Sequence, residues 1–305
     1  MIRIGVDFGG TKIEAAALAA DDAFLARRRA PNPGSYDAAI GVVCDLVRMV
    51  EAETGGPDSS VGVAVPGSIS PRTGLMRNAN SVYLNDRTFR EDLGAALGRL
   101  VRLANDANCL ALSEATDGAA AGAASLFAVI LGTGCGGGLV VDGRLVEGAN
   151  GIGGEWGHNP LPWPTTAEYP GPDCWCGKQG CVETWVSGTG LQRDFAAATG
   201  QASTGEAIIA AARRNVPEAA AALDRYIDRL GRAMAVICNI LDPEVFVLGG
   251  GLSNVSELYA RLPEAIRPHV FSPAWDARIV AARWGDSSGV RGAARLWPCP
   301  AGDRK

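Results

Sequence analysis

Three places in this 305-residue chain set glycine directly behind a short apolar run. In Asp7-Phe-Gly-Gly-Thr-Lys12 the glycines follow residues 2–8, in Leu131-Gly-Thr-Gly134 they follow residues 126–131, and Gly249, Gly250 and Gly251 follow residues 245–248. Glycine lets the backbone approach a ligand closely and aim successive N–H groups at phosphate oxygens. Gly9, Gly10 and Thr11, with Lys12 beside them, and Gly132, Thr133 and Gly134 could thus clamp a polyphosphate from two sides. Neither stretch has Walker or dinucleotide spacing, and each alone is as readily a plain hairpin. Gly249, Gly250 and Gly251 would let an adenine or ribose lie against the backbone. Asp7, at a strand end, could hold Mg²⁺ through water, because that ion takes few carboxylates and keeps its waters. Its plainer role is a turn cap on Thr11.

Asn105-Asp106 lies where an extended run meets a helical one, a position at which Asp often serves only as an N-cap. The chemical reading is a general base: an ionised carboxylate takes the proton of an attacking hydroxyl while the neighbouring amide orients a second hydroxyl. Gly67, Asn80, Glu155, His158 and Glu183 supply the mixture of donors and acceptors that a polyhydroxylated ligand requires.

The sharpest local pattern is His158 with Cys174-x-Cys176-x4-Cys181. Three thiolates and one imidazole make a Cys₃His set of the kind Zn²⁺ favours, and closed four-fold coordination would make the ion structural. It would pin the proline-rich stretch 160–172 and, with it, Glu155 and Glu183. The other five cysteines, Cys44, Cys109, Cys135, Cys238 and Cys299, read as unrelated buried thiols.

Elements of alternating type must hold these residues. Residues 2–8 and 12–18 read as strand, tight turn, strand; residues 40–50 carry helical spacing; 61–65 is a buried strand. Residues 89–97 read as helix, 101–104 as strand, and a further helix follows Asn105-Asp106. The strand, glycine turn, strand unit recurs over 126–141, with an Asp142-Gly143 hairpin. Helical pattern fills 205–239, and 287–296 reads as a closing helix. Such duplication within a β/α alternation implies two α/β lobes around a central cleft. The expected limits are 1–118 for the N-terminal lobe, with 287–305 packing back on it, and 119–286 for the C-terminal lobe.

Composition narrows the partners. Hydrophobic residues make up 47% and charged residues 20%, as in an ordinary globular protein. A formal charge of −5 offers no basic face for nucleic acid. The longest apolar stretch, 119–131, is too short to span a bilayer, so no membrane partner is expected. No secretory signal precedes the first strand, and the expected location is the cytoplasm.

In order along nearly the whole chain, Asp7-Phe-Gly-Gly-Thr-Lys12, Asn105-Asp106-Ala-Asn108, Leu131-Gly-Thr-Gly134, Gly154-Glu155-Trp-Gly-His158, Cys174-x-Cys176-Gly-x-x-Gly-Cys181-x-Glu183 and Leu248-Gly-Gly-Gly251 together resemble the ROK family of repressors and sugar kinases. Pro66-Gly-Ser-Ile-Ser-Pro71, Asn78-Ala-Asn80, Glu155-Trp-Gly-His-Asn-Pro-Leu-Pro-Trp163 and Gly285-Asp-Ser-Ser-Gly-Val-Arg-Gly292 look most like its manno(fructo)kinases, and Asn159-Pro-Leu-Pro-Trp163 carries most of that choice of substrate. The resemblance implies the actin-like ATPase (ribonuclease H-like) fold, Mg-ATP as phosphoryl donor, structural zinc and a homodimer. It also implies Asp106 as catalytic base, with Asn105, Glu155, His158 and Glu183 contacting the sugar or shaping its pocket. The phosphate motif begins at Asp7, leaving no room ahead of it for the DNA-binding region of ROK repressors. The expected activity is ATP-dependent phosphorylation of a hexose 6-hydroxyl, fructose first and mannose second. N-acetylglucosamine or glucose is the alternative acceptor, and a non-catalytic sugar sensor the alternative class.

Overall fold

The computed structural model describes residues 2–56 and 59–297. Cys299 and the last part of the expected closing segment, 298–305, lie outside them. The chain divides into two compact units: 1–121 with 138–153 and 283–305, and 122–137 with 154–282. Segment 138–153 thus groups with the N-terminal residues rather than with the stretch on either side of it.

The first unit begins with β1 (Arg3–Phe8), β2 (Lys12–Leu18) and β3 (Phe24–Pro31), an antiparallel meander. It continues through α1 (Tyr36–Thr54), β4 (Ser60–Val65), the small hairpin β5 (Ser68–Ile69) and β6 (Met76–Arg77), α2 (Phe89–Leu97), β7 (Val101–Asn105) and α3 (Asp106–Thr116). Parallel pairing of β1 with β4 and of β4 with β7 gives the sheet order β3-β2-β1-β4-β7. One stripe of α1 is apolar at helical spacing, and Ala39, Val43, Leu46, Val47 and Val50 are buried. Burial of each such valine or leucine is worth roughly 1.5–3 kcal/mol. Gly55, in the left-handed conformation, ends the helix and donates its N–H to the Glu51 carbonyl.

The second cycle runs through β8 (Ser125–Leu131), β9 (Cys135–Val141) and β10 (Arg144–Leu145). The last two strands are joined by Asp142 and Gly143, both at positive φ, the geometry that two-residue hairpins prefer. Four helices follow, α4 (Glu183–Val186), α5 (Gly188–Thr199), α6 (Gly205–Arg213) and α7 (Pro217–Leu241), then β11 (Val245–Gly249), α8 (Ser256–Ile266), β12 (Arg278–Ala281) and α9 (Ser288–Ala294). Strand β11 pairs in parallel with β8 and β12, and the order β10-β9-β8-β11-β12 repeats the plan of the first sheet. The helical pattern at 205–239 is two helices, because Asn215 takes a positive φ and Pro217 starts a new helix where its missing N–H costs nothing. Within the first unit α9 lies against β1, β4 and α3. No helix among the described residues is long and apolar enough to cross a membrane.

Candidate active site

The first glycine turn joins β1 to β2. The Gly9 N–H donates to the Lys12 carbonyl at 3.0 Å, which closes the turn and leaves Gly10, Thr11 and Lys12 exposed. A residue that the sequence pattern does not single out braces it. The Asn32 amide donates to the Gly9 carbonyl at 2.7 Å, its backbone N–H donates to the Thr11 carbonyl at 2.9 Å, and Tyr83 donates to its Oδ1 at 2.7 Å. The available signal was Asn32-Pro33-Gly34, an Asx-type turn directly after a strand.

Asp7 sits at the end of β1, opposite Ala64 of β4. Burial first, then the charges of Asp106, Glu14 and Asp286, raise its pKa to about 6, with Lys12 opposing. Glu14 is itself held by Arg27 and Arg29. The imbalance of negative charge around Asp7 is what a hydrated divalent cation would relieve, so these residues fit Mg²⁺.

Asn105 closes β7 and caps α3. Its Oδ1 accepts the Ala107 N–H at 2.9 Å and its Nδ2 donates to the Gly67 carbonyl at 3.1 Å. The capping duty therefore rests on Asn105, while Asp106 is the first helical residue, with an exposed side chain whose Oδ1 shares the same Ala107 N–H at 2.8 Å. The helix dipole favours negative charge at this position. Gly67 has φ +75°, and a Cβ there would stand 2.3 Å from the Arg77 carbonyl, so only glycine lets the turn fold beneath Asn105. Asn80 stands exposed, and the Asn85 side chain fixes the chain beside it by bonding both the N–H and the carbonyl of Ala79.

In the second unit, Gly132, Thr133 and Gly251 line one cavity of about 490 Å³. The second and third glycine stretches are thus brought together. Ile209 and Leu252 give it an apolar wall and Gln192 and Asn254 a polar one, a lining suited to a flat heteroaromatic base. The N-terminus of α5 holds the turn from behind: the Gly188 N–H donates to the Gly132 carbonyl at 2.7 Å and Thr189 to the Thr133 carbonyl at 2.9 Å. Gly250 has φ +81° and Gly249 is the buried last residue of β11.

His158, Cys174, Cys176 and Cys181 form one cluster whose ligand atoms all lie within 4.8 Å of one another. Cys174 Sγ is 3.7 Å from His158 Nδ1, and Cys176 Sγ is 3.6 Å from Cys181 Sγ. Tetrahedral ligands about 2.1–2.3 Å from one Zn²⁺ stand roughly 3.5–3.8 Å apart, so the donor set fits the ion. With Nδ1 facing the thiolate, Nε2 is left for a second partner. Glu183 links this loop to the second glycine turn: Oε2 accepts the Cys135 N–H at 2.8 Å and Oε1 accepts Trp175 Nε1 at 2.7 Å. A Cβ at Gly134 would lie 2.7 Å from Glu183 Oε2, so a side chain there would push the carboxylate off the Cys135 N–H. Glu155 is exposed beside buried Trp156, whose Nε1 donates to the Gly136 carbonyl at 2.9 Å.

The loop that leads into this cluster hangs on an ion network that residue spacing does not reveal. Buried Glu168 accepts from Arg229 at 2.7 Å and from Arg232 at 2.8 Å. Burial alone would raise its pKa, but the two guanidinium groups and the Thr165 N–H overcome that and hold it at about 2. The Pro162 and Trp163 carbonyls also accept from Arg232, Pro160 bridges to Cys181, and the exposed Trp163 ring stacks on His269. The stretch 159–163 is occupied with docking this loop.

Residues 3–299 match the ROK family. The chain is 40% identical over 295 residues to the N-acetylgalactosamine kinase AgaK of Shewanella sp. (strain ANA-3), covering 96% of this chain and 95% of that protein. It is 39% identical over 297 residues to the N-acetyl-D-glucosamine kinase of Pectobacterium atrosepticum, covering 96% and 97%. Among solved structures, the ROK hexokinase from Thermus thermophilus superposes with a TM-score of 0.86 at 33% identity, covering 97% of this chain and 98% of that one. The expected likeness to manno(fructo)kinases is not carried by these relatives. It rested largely on residues 159–163, whose backbone here is committed to the loop. The fold is that of the actin-like ATPases, and with the family's motifs matched from the first strand to the closing helix, the chain belongs to the ROK family.

Proposed function

We propose that this protein is an ATP-dependent sugar kinase that transfers the γ-phosphoryl group to the 6-hydroxyl of a free N-acetylated hexosamine, with unsubstituted hexoses as weaker acceptors. The observation that carries the reading is the pair at the head of α3. Asn105 caps α3 and shares the Ala107 N–H with Asp106, whose carboxylate stands exposed at the helix start, where a general base would meet a hydroxyl. The two curated relatives, kinases of N-acetylgalactosamine and N-acetylglucosamine, support the acceptor class over fructose.

In this reading Asp106 accepts the proton of the sugar hydroxyl as it attacks the terminal phosphorus. Asn105 and Asn80 orient other hydroxyls, beside the Gly67 turn, and Glu155, His158 and Glu183 are the sugar-directed groups of the second unit. Gly9, Gly10, Thr11 and Lys12, and separately Gly132, Thr133 and Gly134, offer N–H groups to the phosphates. The cavity bordered by Gly251 takes the adenosine. Bound Mg²⁺ supplies charge neutralisation at the phosphates, and Asp7 would hold it through water. Zinc at His158, Cys174, Cys176 and Cys181 would fix the loop that carries Glu183.

The test is direct. The protein is incubated with Mg-ATP and N-acetylglucosamine, and the products are followed by ³¹P NMR. A sugar 6-phosphate appearing in step with ADP supports the reading, and no sugar phosphate with any hexosamine or hexose contradicts it.

A further inference from the structure

We propose that Asn32 and Tyr83 are positioning residues that tie the first phosphate turn to the loop bearing Asn80, so that nucleotide and sugar strengthen each other's binding. The proposal rests on the sugar-kinase reading above. Strand β3 ends at Pro31, opposite Lys12, so Asn32 leaves the sheet directly beside the turn. An Asx turn then fixes its side chain: Oδ1 accepts the Gly34 N–H at 3.0 Å, and Gly34 takes φ +75°. With the oxygen committed there and to the Tyr83 hydroxyl at 2.7 Å, the amide nitrogen must face the Gly9 carbonyl, 2.7 Å away. A flipped amide would set oxygen against oxygen at Gly9 and nitrogen against N–H at Gly34. Asn32 therefore grips the turn through the carbonyls of Gly9 and Thr11 rather than through N–H groups that a phosphate would use.

Tyr83 carries the tie across to the sugar side. It lies in the one-turn 3₁₀ helix Val82–Leu84, which fully buried Leu84 anchors. Asn80 stands just ahead of that helix. Asn85 closes the loop, accepting the Ala79 N–H at 2.9 Å and donating to the Ala79 carbonyl at 3.0 Å. Residues 79–85 are thus held as one piece, from which the Tyr83 hydroxyl reaches 51 positions back along the chain to Asn32. A sugar held by Asn80 fixes this loop, the loop fixes the Tyr83 hydroxyl, and the hydroxyl fixes the turn before a phosphate arrives. A turn ordered in advance reduces the entropy lost when nucleotide binds, and such coupling is reciprocal.

Calorimetry with a non-hydrolysable ATP analogue and Mg²⁺, with and without saturating N-acetylglucosamine, tests the tie. Tyr83→Phe removes only the hydroxyl, and Asn32 Oδ1 keeps the Gly34 N–H, so that oxygen is not orphaned. Wild type is expected to bind the analogue more tightly when the sugar is present. Tyr83→Phe should lower that enhancement by ~2–10-fold, the span of one hydrogen bond, with affinity for the analogue alone nearly unchanged. In an Asn32→Ala background, which weakens binding of the analogue itself, adding Tyr83→Phe should have no further effect. A merely structural brace would shift the melting temperature and leave the enhancement as it is. Wild-type enhancement in folded Tyr83→Phe, or independent binding of the two ligands in wild type, would overturn the tie, while sugar phosphate formed from Mg-ATP would still uphold the kinase reading. Enhancement lost in Tyr83→Phe from a protein that transfers no phosphoryl group does the reverse. Wild type that binds the analogue but no N-acetylglucosamine overturns both.

Discussion

The Asn105 side chain donates to the carbonyl oxygen of Gly67 at 3.1 Å, tying the end of β7 to the turn that follows β4. The same amide caps α3 through its oxygen. One residue thereby fixes the helix start and the loop beside it, and the exposed carboxylate of Asp106, which shares the Ala107 N–H, is held at the junction.

Replacement of that carboxylate should therefore separate chemistry from folding. Asp106→Asn is expected to lower kcat by ~10²–10⁴-fold, the usual contribution of a general base. Sugar affinity and the melting temperature should stay close to wild type. Steady-state kinetics with calorimetry would check this, and wild-type turnover in the variant would remove Asp106 from the mechanism.

Asp7 gives a pH signature with a defined sign. Its folded pKa of about 6 lies above the ordinary 3.8, so its protonated form is favoured in the folded protein. The stability linked to it is complete below about pH 4 and is lost as pH rises through 6, up to about 3 kcal/mol. Asp7→Asn should thus raise the melting temperature of the ligand-free protein at pH 7–8 and change it little at pH 4, while weakening Mg-ATP binding. Equal melting curves for the two proteins across that range would show that Asp7 carries no such cost.

The buried acid Glu168 works with the opposite sign. Its pKa is held at about 2 against an ordinary 4.5, so its contribution is present above pH 4.5 and drains away as pH falls toward 2. Glu168→Gln leaves Arg229 with Asp194 and Arg232 with Asp228 as their remaining carboxylates, and is expected to cost about 1–3 kcal/mol at neutral pH. Urea unfolding at pH 7 and pH 3 would show the difference between variant and wild type shrinking in acid.

The Cys₃His cluster predicts about one Zn²⁺ per chain by elemental analysis, lost together with thermal stability in Cys176→Ser. Because Glu183 bridges the cysteine loop and the Cys135 N–H, zinc loss should also weaken nucleotide binding at the second glycine turn. Purified protein without zinc, and as stable as any metal-loaded sample, would reject the site.

What the sequence made legible were features with a local cause. The two strand, turn, strand units follow from apolar runs broken by glycine, and the metal cluster follows from cysteine spacing. Asn32 escaped notice because its contacts to the first turn come from 23 positions away. Glu168 escaped for the same reason, its partner Arg229 being 61 positions further on. The fructose preference finds no support in the relatives reported above, and its origin is different. Residues 159–163 looked like substrate-choosing residues, yet Pro160, Pro162 and Trp163 are bound to Cys181, Arg232 and His269. A pattern that docks a loop and one that touches a ligand are alike in one dimension.

The most direct measurement is kcat/KM with saturating Mg-ATP for N-acetylglucosamine, N-acetylgalactosamine, glucose, mannose and fructose under one set of conditions. The N-acetylated sugars should lead, with fructose last or inactive. Fructose leading the series, or ATP hydrolysed at one rate whatever sugar is present, would contradict the account.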